Sequence, residues 1–124
     1  MHQDDPYSWR VIGCAIEVHR TLGPGLMESV YEACLCHELA LAGLRFERQR
    51  RVPVVYKDAR LDLDFRADVV VEDALLLEIK AARDILPLHE AQLLTYLRLT
   101  GIKLGLLLNF NVPVLKDGMR RRRL

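Results

Sequence analysis

Residues 66–80 contain the three side-chain types that metal-dependent hydrolysis of a phosphodiester needs. Asp68 and Glu78 are hard oxygen ligands, and Mg²⁺ usually takes one or two protein carboxylates and completes its coordination with waters and substrate phosphate oxygens. Lys80 adds a compact ammonium that can hold a water molecule and share developing negative charge. These residues could support phosphodiester cleavage if the fold brings them together.

A β-hairpin is the element that would bring them together. If residues 72–74 form a three-residue loop, Val71 faces Leu75. Counting three residues from this pair along each strand, away from the loop, places Asp68 opposite Glu78, with their Cβ atoms roughly 5 Å apart. The spacing therefore predicts two opposed carboxylates on one hairpin.

Side chains alternate along a strand, so this hairpin has two faces. Lys80 shares the face of Glu78, and Arg66 lies opposite Lys80 on that face. The other face is apolar and carries Ala67, Val69, Leu77 and Ile79. We therefore predict that one face is apolar and that the other carries the candidate catalytic side chains.

Two opposed carboxylates repel each other and need a positive partner. A divalent cation is one such partner. The alternative is a salt-bridge quartet on a solvated sheet face, in which Arg66 and Lys80 neutralise the two carboxylates. The hairpin by itself leaves both open, because ordinary ion-pair networks also gather charges in this way.

The composition predicts one domain over residues 1–124. This length can bury a single core, and 51% of the residues are hydrophobic. Charged residues interrupt every apolar run well before the ~20 residues that span a bilayer, so we expect no membrane segment. The N-terminus lacks the basic and apolar regions of a signal peptide, and the three cysteines lack a CxxC spacing. We expect a cytoplasmic protein with reduced cysteines.

The net charge of +1 gives no overall attraction to nucleic acid. Two arginine-rich segments, 45–51 and 120–123, are local exceptions. Basic side chains in the first segment are typical of a solvated strand edge, and an arginine run like the second is typical of a disordered tail. Neither segment alone predicts a function.

The hydrophobic pattern changes from helical spacing to alternation and back. Its order predicts an antiparallel meander followed by a helical crossover to a parallel neighbour, which is an α/β (α+β) fold with a mixed sheet of about four to five strands flanked by helices. Residues 112–124 are left open between a short final strand and a tail. The predicted elements are helix 7–21, a helix between Gly25 and Gly43, strands 46–56, 61–71 and 75–81, a helix from Pro87 to about Gly101, and strand 103–110.

Four segments in this order resemble the GxxExxY proteins, a group assigned to the PD-(D/E)XK nuclease superfamily. The resemblance covers nearly the whole chain and implies a restriction-endonuclease-like core. One departure is Ala67, which stands where the superfamily's name has proline. The matching segments are Gly25-Leu-Met-Glu28-Ser-Val-Tyr31, Arg66-Ala-Asp68, Glu78-Ile-Lys80 and Gln92-Leu-Leu-Thr-Tyr96.

The resemblance implies a role for each matching residue. Asp68 and Glu78 would bind Mg²⁺ or Mn²⁺, and Glu28, on the helix before the sheet, would help to hold the cation. Lys80 would orient or activate the attacking water. The later helix would complete the catalytic set with Gln92 and Tyr96, which look like the Gln-x-x-x-Tyr element of RecB-type nucleases.

Each of the helical residues also has an ordinary interpretation. Glu28 lies in the first turn of its helix, where a carboxylate is favoured by the free amide groups. Gln92 and Tyr96 are four apart and share one helical face, which could simply be polar. Tyr31 is interpreted as a core residue, and His19 as a helix cap or packing residue.

The sequence therefore predicts a Mg²⁺-dependent nuclease that acts on nucleic acid, DNA rather than RNA. Two alternatives from other classes stay open: a nuclease-fold module that binds nucleic acid without cleavage, and a protein-interaction module with a salt-bridged acidic pair. A homodimer or a larger partner would extend a cleft that, at this size, covers few nucleotides.

Overall fold

The computed structural model describes residues 5–63 and 65–124. Asp64, which the predicted strand 61–71 included, lies outside the described residues. No helix in the described ranges is long and apolar enough to cross a membrane. The elements are α1 (Ser8–Leu22), α2 (Glu28–Leu41), β1 (Phe46–Arg51), β2 (Val54–Tyr56), β3 (Ala59–Leu61), β4 (Arg66–Val71), β5 (Leu75–Lys80), α3 (Pro87–Thr100), β6 (Leu104–Asn109), a short 3₁₀ helix (Leu115–Gly118) and β7 (Met119–Arg123).

Five of the strands form one mixed sheet in the order β1-β4-β5-β6-β7. Helix α3 crosses from β5 to β6, and these two strands are parallel, whereas the other neighbours pair antiparallel. Strands β2 and β3 form a separate antiparallel hairpin. The predicted α+β class, the mixed sheet and the parallel crossover are confirmed.

Helices cover both faces of the sheet. Helices α1 and α2 pack on one face against the larger apolar cluster, and α3 packs on the other face against a smaller one. Strands β5 and β6 are therefore almost entirely buried, as strands covered on both faces must be. Exposure of the apolar side chains on either face to water would be unfavourable, so their burial beneath the helices is the main source of stability.

The predicted division of the hairpin into one apolar and one polar face is wrong in two respects. Both faces are apolar along most of their length, because Val70 and Leu76 lie beneath α3 while Val69 lies beneath α1 and α2. Ala67, which the alternation places with Val69, instead packs with the cluster under α3. The alternation changes at Asp68, where the regular strand pairing is interrupted.

The predicted strands 46–56 and 61–71 are each shorter than the sequence pattern indicates. Strand β1 ends before Val52 and Pro53, since proline has no N–H to donate to the ladder. Val52 is fully buried, and its N–H donates to the carbonyl oxygen of Phe65 at 2.7 Å. The chain between them leaves the main sheet and forms the β2–β3 hairpin.

The C-terminal arginine run forms strand β7, so of the two alternatives for residues 112–124 the final strand is correct and the disordered tail is wrong. It pairs antiparallel with β6 along its length. Arg121 donates to Asp5 Oδ2 at 2.9 Å and to Ser8 Oγ at 3.2 Å, and Arg122 forms an ion pair with Glu90. These side chains are held by partners that are distant in sequence, and such partners cannot be recognised from a local sequence pattern. Charged side chains on this edge strand also discourage pairing with another sheet.

Tyr31 and His19 have packing roles, as the sequence predicts. Tyr31 is fully buried and stacks on Phe110 with 4.6 Å between ring centroids. Its hydroxyl donates to the carbonyl oxygen of Gly23 at 2.6 Å. His19 is buried, and its Nε2 lies 2.7 Å from the carbonyl oxygen of Val112.

We predict that G118A destabilises the protein by roughly 1–3 kcal/mol, because the added methyl group overpacks the site. A Cβ on Gly118 would lie 2.1 Å from the carbonyl oxygen of Asn109 and 3.0 Å from Val112 Cγ2. The matched control is G13A. Gly13 lies within α1 with open space around it, so alanine should stabilise the helix by about 0.5–1 kcal/mol. Urea unfolding measures both changes, and an unaffected G118A would contradict this packing.

Candidate functional site

The β4–β5 hairpin has the register that the sequence predicts. Residues 72–74 form the turn, and Val71 pairs with Leu75. The ladder continues to Val69 and Leu77 and ends there. Asp68 and Glu78 come next on the two strands, at the level where regular pairing stops.

The carboxylates themselves take over the hydrogen bonding at this level. The N–H of Asp68 donates to Glu78 Oε2 at 3.1 Å, and the N–H of Ile79 donates to Asp68 Oδ2 at 2.8 Å. On the other side of β4, strand β1 pairs Arg48 with Val69 and Arg50 with Ala67. Gln49 and Asp68, which lie between these two pairs, are not paired in the ladder. Side chains thus replace backbone acceptors between β4 and β5, and this brings Asp68 and Glu78 together.

Glu78 is buried and Asp68 is partly buried. Glu78 is only 4% exposed, and burial raises its pKa to about 8, with the charge of Asp68 acting in the same direction. Burial likewise raises the pKa of Asp68, although the hydrogen bond from Ile79 opposes the change. Lys80 favours the ionised form of both groups. The surroundings therefore do not stabilise the ionised form of both groups, and Glu78 is the one that keeps its proton up to about pH 8.

The predicted alternative of a salt-bridge quartet is not what the described residues form. Neither Asp68 nor Glu78 takes part in an ion pair within residues 5–63 and 65–124. Arg66 pairs in the ladder with Arg51, and its Nη1 donates to the carbonyl oxygen of Gln49 at 3.2 Å. The sheet face at this point is also covered by a helix rather than solvated.

Helix α3 supplies the groups next to Lys80. The ammonium Nζ of Lys80 lies 3.5 Å from Gln92 Oε1, and Gln92 Nε2 donates to the Tyr96 hydroxyl at 3.1 Å. Tyr96 is 5% exposed, and its ring meets Phe65 edge-on at 4.6 Å between centroids. Burial raises the pKa of Tyr96, and the charge of Glu78 adds to this effect. The fold therefore joins Lys80, Gln92 and Tyr96 in one chain of contacts beside Glu78.

Glu28 approaches the same level from the opposite side of the sheet. It is exposed in the first turn of α2, and its Oε2 accepts the N–H of Ala81 at 3.4 Å. It borders a groove of about 430 Å³ that Asp68 also lines. The other residues that line this groove are Ser29, Glu32, Arg48, Gln49, Asp68 and Ile79.

Two of the groove residues are site neighbours that the sequence analysis missed. Glu32 is a buried carboxylate that accepts from Arg48 Nε at 3.0 Å and from Gln49 Nε2 at 2.8 Å. Gln49 Nε2 also lies 3.4 Å from Asp68 Oδ1. Helical spacing could have revealed Glu32, since it stands four residues after Glu28 on α2. Nothing in the local sequence singles out Gln49.

Asn109 is a third residue that the sequence analysis missed. It is buried at the end of β6 and is the parallel neighbour of Lys80. Its Oδ1 accepts the N–H of Ala82 at 3.0 Å, and its Nδ2 donates to the carbonyl oxygen of Ala82 at 3.0 Å. This double contact fixes the chain as it leaves β5, directly after Lys80.

The donor set fits a hard divalent cation. As the side chains stand, no three His, Cys, Asp or Glu residues of the described chain are arranged to hold a metal ion. Asp68 and Glu78 suffice for Mg²⁺, which needs only one or two carboxylates, and the exposed carboxylate of Glu28 could approach from α2. A cation at this level would also offset the repulsion that arises when both carboxylates are ionised.

Comparison with known proteins places the chain in a family. A search of the curated proteins finds no match, and a search of the solved structures also finds none. The model of one family, described as the PD-(D/E)XK nuclease superfamily, matches residues 5–122, which is nearly the whole chain. The match includes both strands of the acidic hairpin and helices α2 and α3. The chain therefore belongs to the PD-(D/E)XK nuclease superfamily.

Proposed function

We propose that this protein is a nuclease that uses Mg²⁺ or Mn²⁺ to hydrolyse phosphodiester bonds in nucleic acid, with DNA as the preferred substrate. The observation that carries the proposal is the meeting of Asp68 and Glu78 at an unpaired level of the sheet, with Lys80 beside them. Membership of the nuclease superfamily supports it. Within that superfamily, the segment from Gly25 to Tyr31 supports assignment to the GxxExxY group.

The protonation of the acidic pair depends on whether a cation is bound. Without one, Glu78 holds its proton at neutral pH, since its pKa is raised to about 8. A cation favours the ionised form of both carboxylates, and their charge supplies its binding energy. Asp68 and Glu78 would therefore be its main ligands, and Glu28 would add a carboxylate from α2.

When bound, the divalent cation would lower the pKa of a water molecule and neutralise charge on the phosphate. Lys80 would hold the attacking water in place and stabilise the negative charge that develops on the phosphoryl oxygens. Gln92 restrains the Lys80 ammonium through its carbonyl oxygen, and Tyr96 restrains the Gln92 amide. These two residues of α3 would thereby reduce the freedom of the lysine before the reaction begins.

The state of the cysteines supports a reducing compartment for this activity. Cys14, Cys34 and Cys36 are all free thiols, and Cys14 and Cys36 are buried. Burial raises the pKa of Cys36 to about 11, which suppresses the reactive thiolate. We propose that the protein acts in the cytoplasm, where such thiols stay reduced.

We predict that D68N and E78Q reduce cleavage of supercoiled plasmid DNA to background in Mg²⁺ or Mn²⁺, because each removes a negative charge from the cation site. K80M should lower the rate by about 100-fold or more, since it removes an electrostatic contact to the transition state. Gel-resolved nicking rates measure all three, and labelled RNA tested in parallel measures the preference for DNA.

The matched control for these variants is D73N. Asp73 lies on the same hairpin at its turn, where it pairs with Arg50 and is mostly exposed. D73N should nick plasmid at the wild-type rate. Equal activity in D68N, E78Q and the wild type would refute the assignment of the site, and salt-dependent DNA binding without any cleavage would favour the binding-module alternative.

We predict that Glu78 makes the metal-free protein less stable as the pH rises from about 5 to 8. The folded protein keeps the Glu78 proton up to about pH 8, whereas the unfolded chain releases it near the ordinary value of 4.5. Between these values the folded state binds more protons, so the free energy of unfolding falls by up to roughly 1.4 kcal/mol per pH unit. Urea unfolding at several pH values in chelator measures this slope.

The E78Q variant isolates this contribution, because glutamine keeps an oxygen that can accept from the Asp68 amide but does not ionise. E78Q should gain stability relative to the wild type by more than about 1 kcal/mol between pH 5 and pH 8. Addition of Mg²⁺ at pH 8 should stabilise the wild type and leave E78Q nearly unchanged. Parallel stability curves for the two proteins would contradict the burial of an unpaired Glu78.

A further inference from the structure

Gln49 has an unusual backbone conformation for a residue inside a strand. Its φ angle is 51°, in the left-handed region that side chains with a Cβ disfavour. The other described non-glycine residues with positive φ, which are Lys57, Glu72 and Asp73, lie in turns. Unfavourable backbone conformations of this kind persist where surrounding contacts impose them, and they concentrate at functional sites.

Contacts on both its backbone and its side chain impose this conformation. The carbonyl oxygen of Gln49 accepts from Arg66 Nη1 at 3.2 Å. The side-chain Nε2 donates to the buried carboxylate of Glu32 at 2.8 Å and lies 3.4 Å from Asp68 Oδ1. Since both neighbours are carboxylates, only the amide nitrogen, with its two hydrogens, suits this position.

The position of this amide determines what it can do for Asp68. Asp68 Oδ2 is held by the N–H of Ile79, and Oδ1 faces the amide of Gln49. Glu32 does not depend on Gln49 alone, because Arg48 holds its other oxygen. An arginine at position 49 would form an ion pair with Asp68 and compete with a cation, whereas a neutral amide orients the carboxylate without neutralising it.

We propose that Gln49 is a positioning residue that orients the carboxylate of Asp68 for cation binding, with the buried Glu32 as its anchor. The inference rests on the proposed function, since it concerns the same site. Gln49 acts through Asp68 and does not itself ligate the cation. Its left-handed backbone directs the amide from an adjacent strand toward both carboxylates.

The test compares Mn²⁺ binding in wild type, Q49G and K57G by titration calorimetry. Both substitutions place glycine at a left-handed residue, since φ is 51° at Gln49 and 55° at Lys57. They therefore change the backbone preference in the same way, and only Q49G removes the amide beside Asp68. We expect Q49G to bind Mn²⁺ about 10-fold to 100-fold more weakly, the usual effect of losing a group that orients a metal ligand. K57G should bind as the wild type does.

Urea unfolding in chelator separates positioning from a purely structural role. If Gln49 only stabilised the fold, Q49G would lose stability but keep its Mn²⁺ affinity while folded, and this result would overturn the inference. Q49N provides a second variant, because asparagine tolerates the left-handed region but carries its amide one methylene shorter. It should also weaken Mn²⁺ binding, and wild-type affinity in Q49N and Q49G would count against the proposal.

The same titration distinguishes this inference from the proposed function. If the wild type binds Mn²⁺ and Q49G binds it equally well, only the role of Gln49 is refuted. If the wild type binds no Mn²⁺ even at millimolar concentration, the cation site itself is refuted and the inference fails with it.

Discussion

The site depends on one level of the sheet at which carboxylates take the place of backbone carbonyls as hydrogen-bond acceptors. Buried backbone N–H groups need acceptors, so the amides of Asp68 and Ile79 draw the side chains of Glu78 and Asp68 between the strands. The same bonds hold two carboxyl groups together, Glu78 buried and Asp68 partly buried, and ionisation of both groups is unfavourable there without a cation. The backbone requirement thus produces the electrostatic condition on which the proposed chemistry rests.

The rest of the fold makes this arrangement rigid and gives it two different sides. Strands β5 and β6 are buried beneath helices on both faces, so the residues at their ends have little freedom. Helix α3 presents Gln92 and Tyr96 to Lys80, whereas α2 and β1 present Glu32 and Gln49 to Asp68. The α3 side therefore restrains the ammonium of Lys80, and the α2 side restrains the carboxylate of Asp68.

The sequence predicts the parts of this structure that local patterns specify. Helical spacing and punctuating glycines and prolines gave the three helices, and counting from the 72–74 turn gave the register that brings Asp68 beside Glu78. The sequence did not predict the break in alternation at Asp68, because side-chain acceptors cause it. The sequence left residues 112–124 open between a strand and a tail and did not single out Gln49, because the partners of both are distant in sequence.

The most direct test of the central claim is a crystal structure of the protein soaked with Mn²⁺, with the ion located by its anomalous scattering. The account predicts a single strong peak at the opened level of the sheet, with one oxygen of Asp68 and one of Glu78 at about 2.0–2.2 Å, the distance typical of small divalent cations. A peak elsewhere, or both carboxylates still bound only to backbone amides at saturating Mn²⁺, would contradict it.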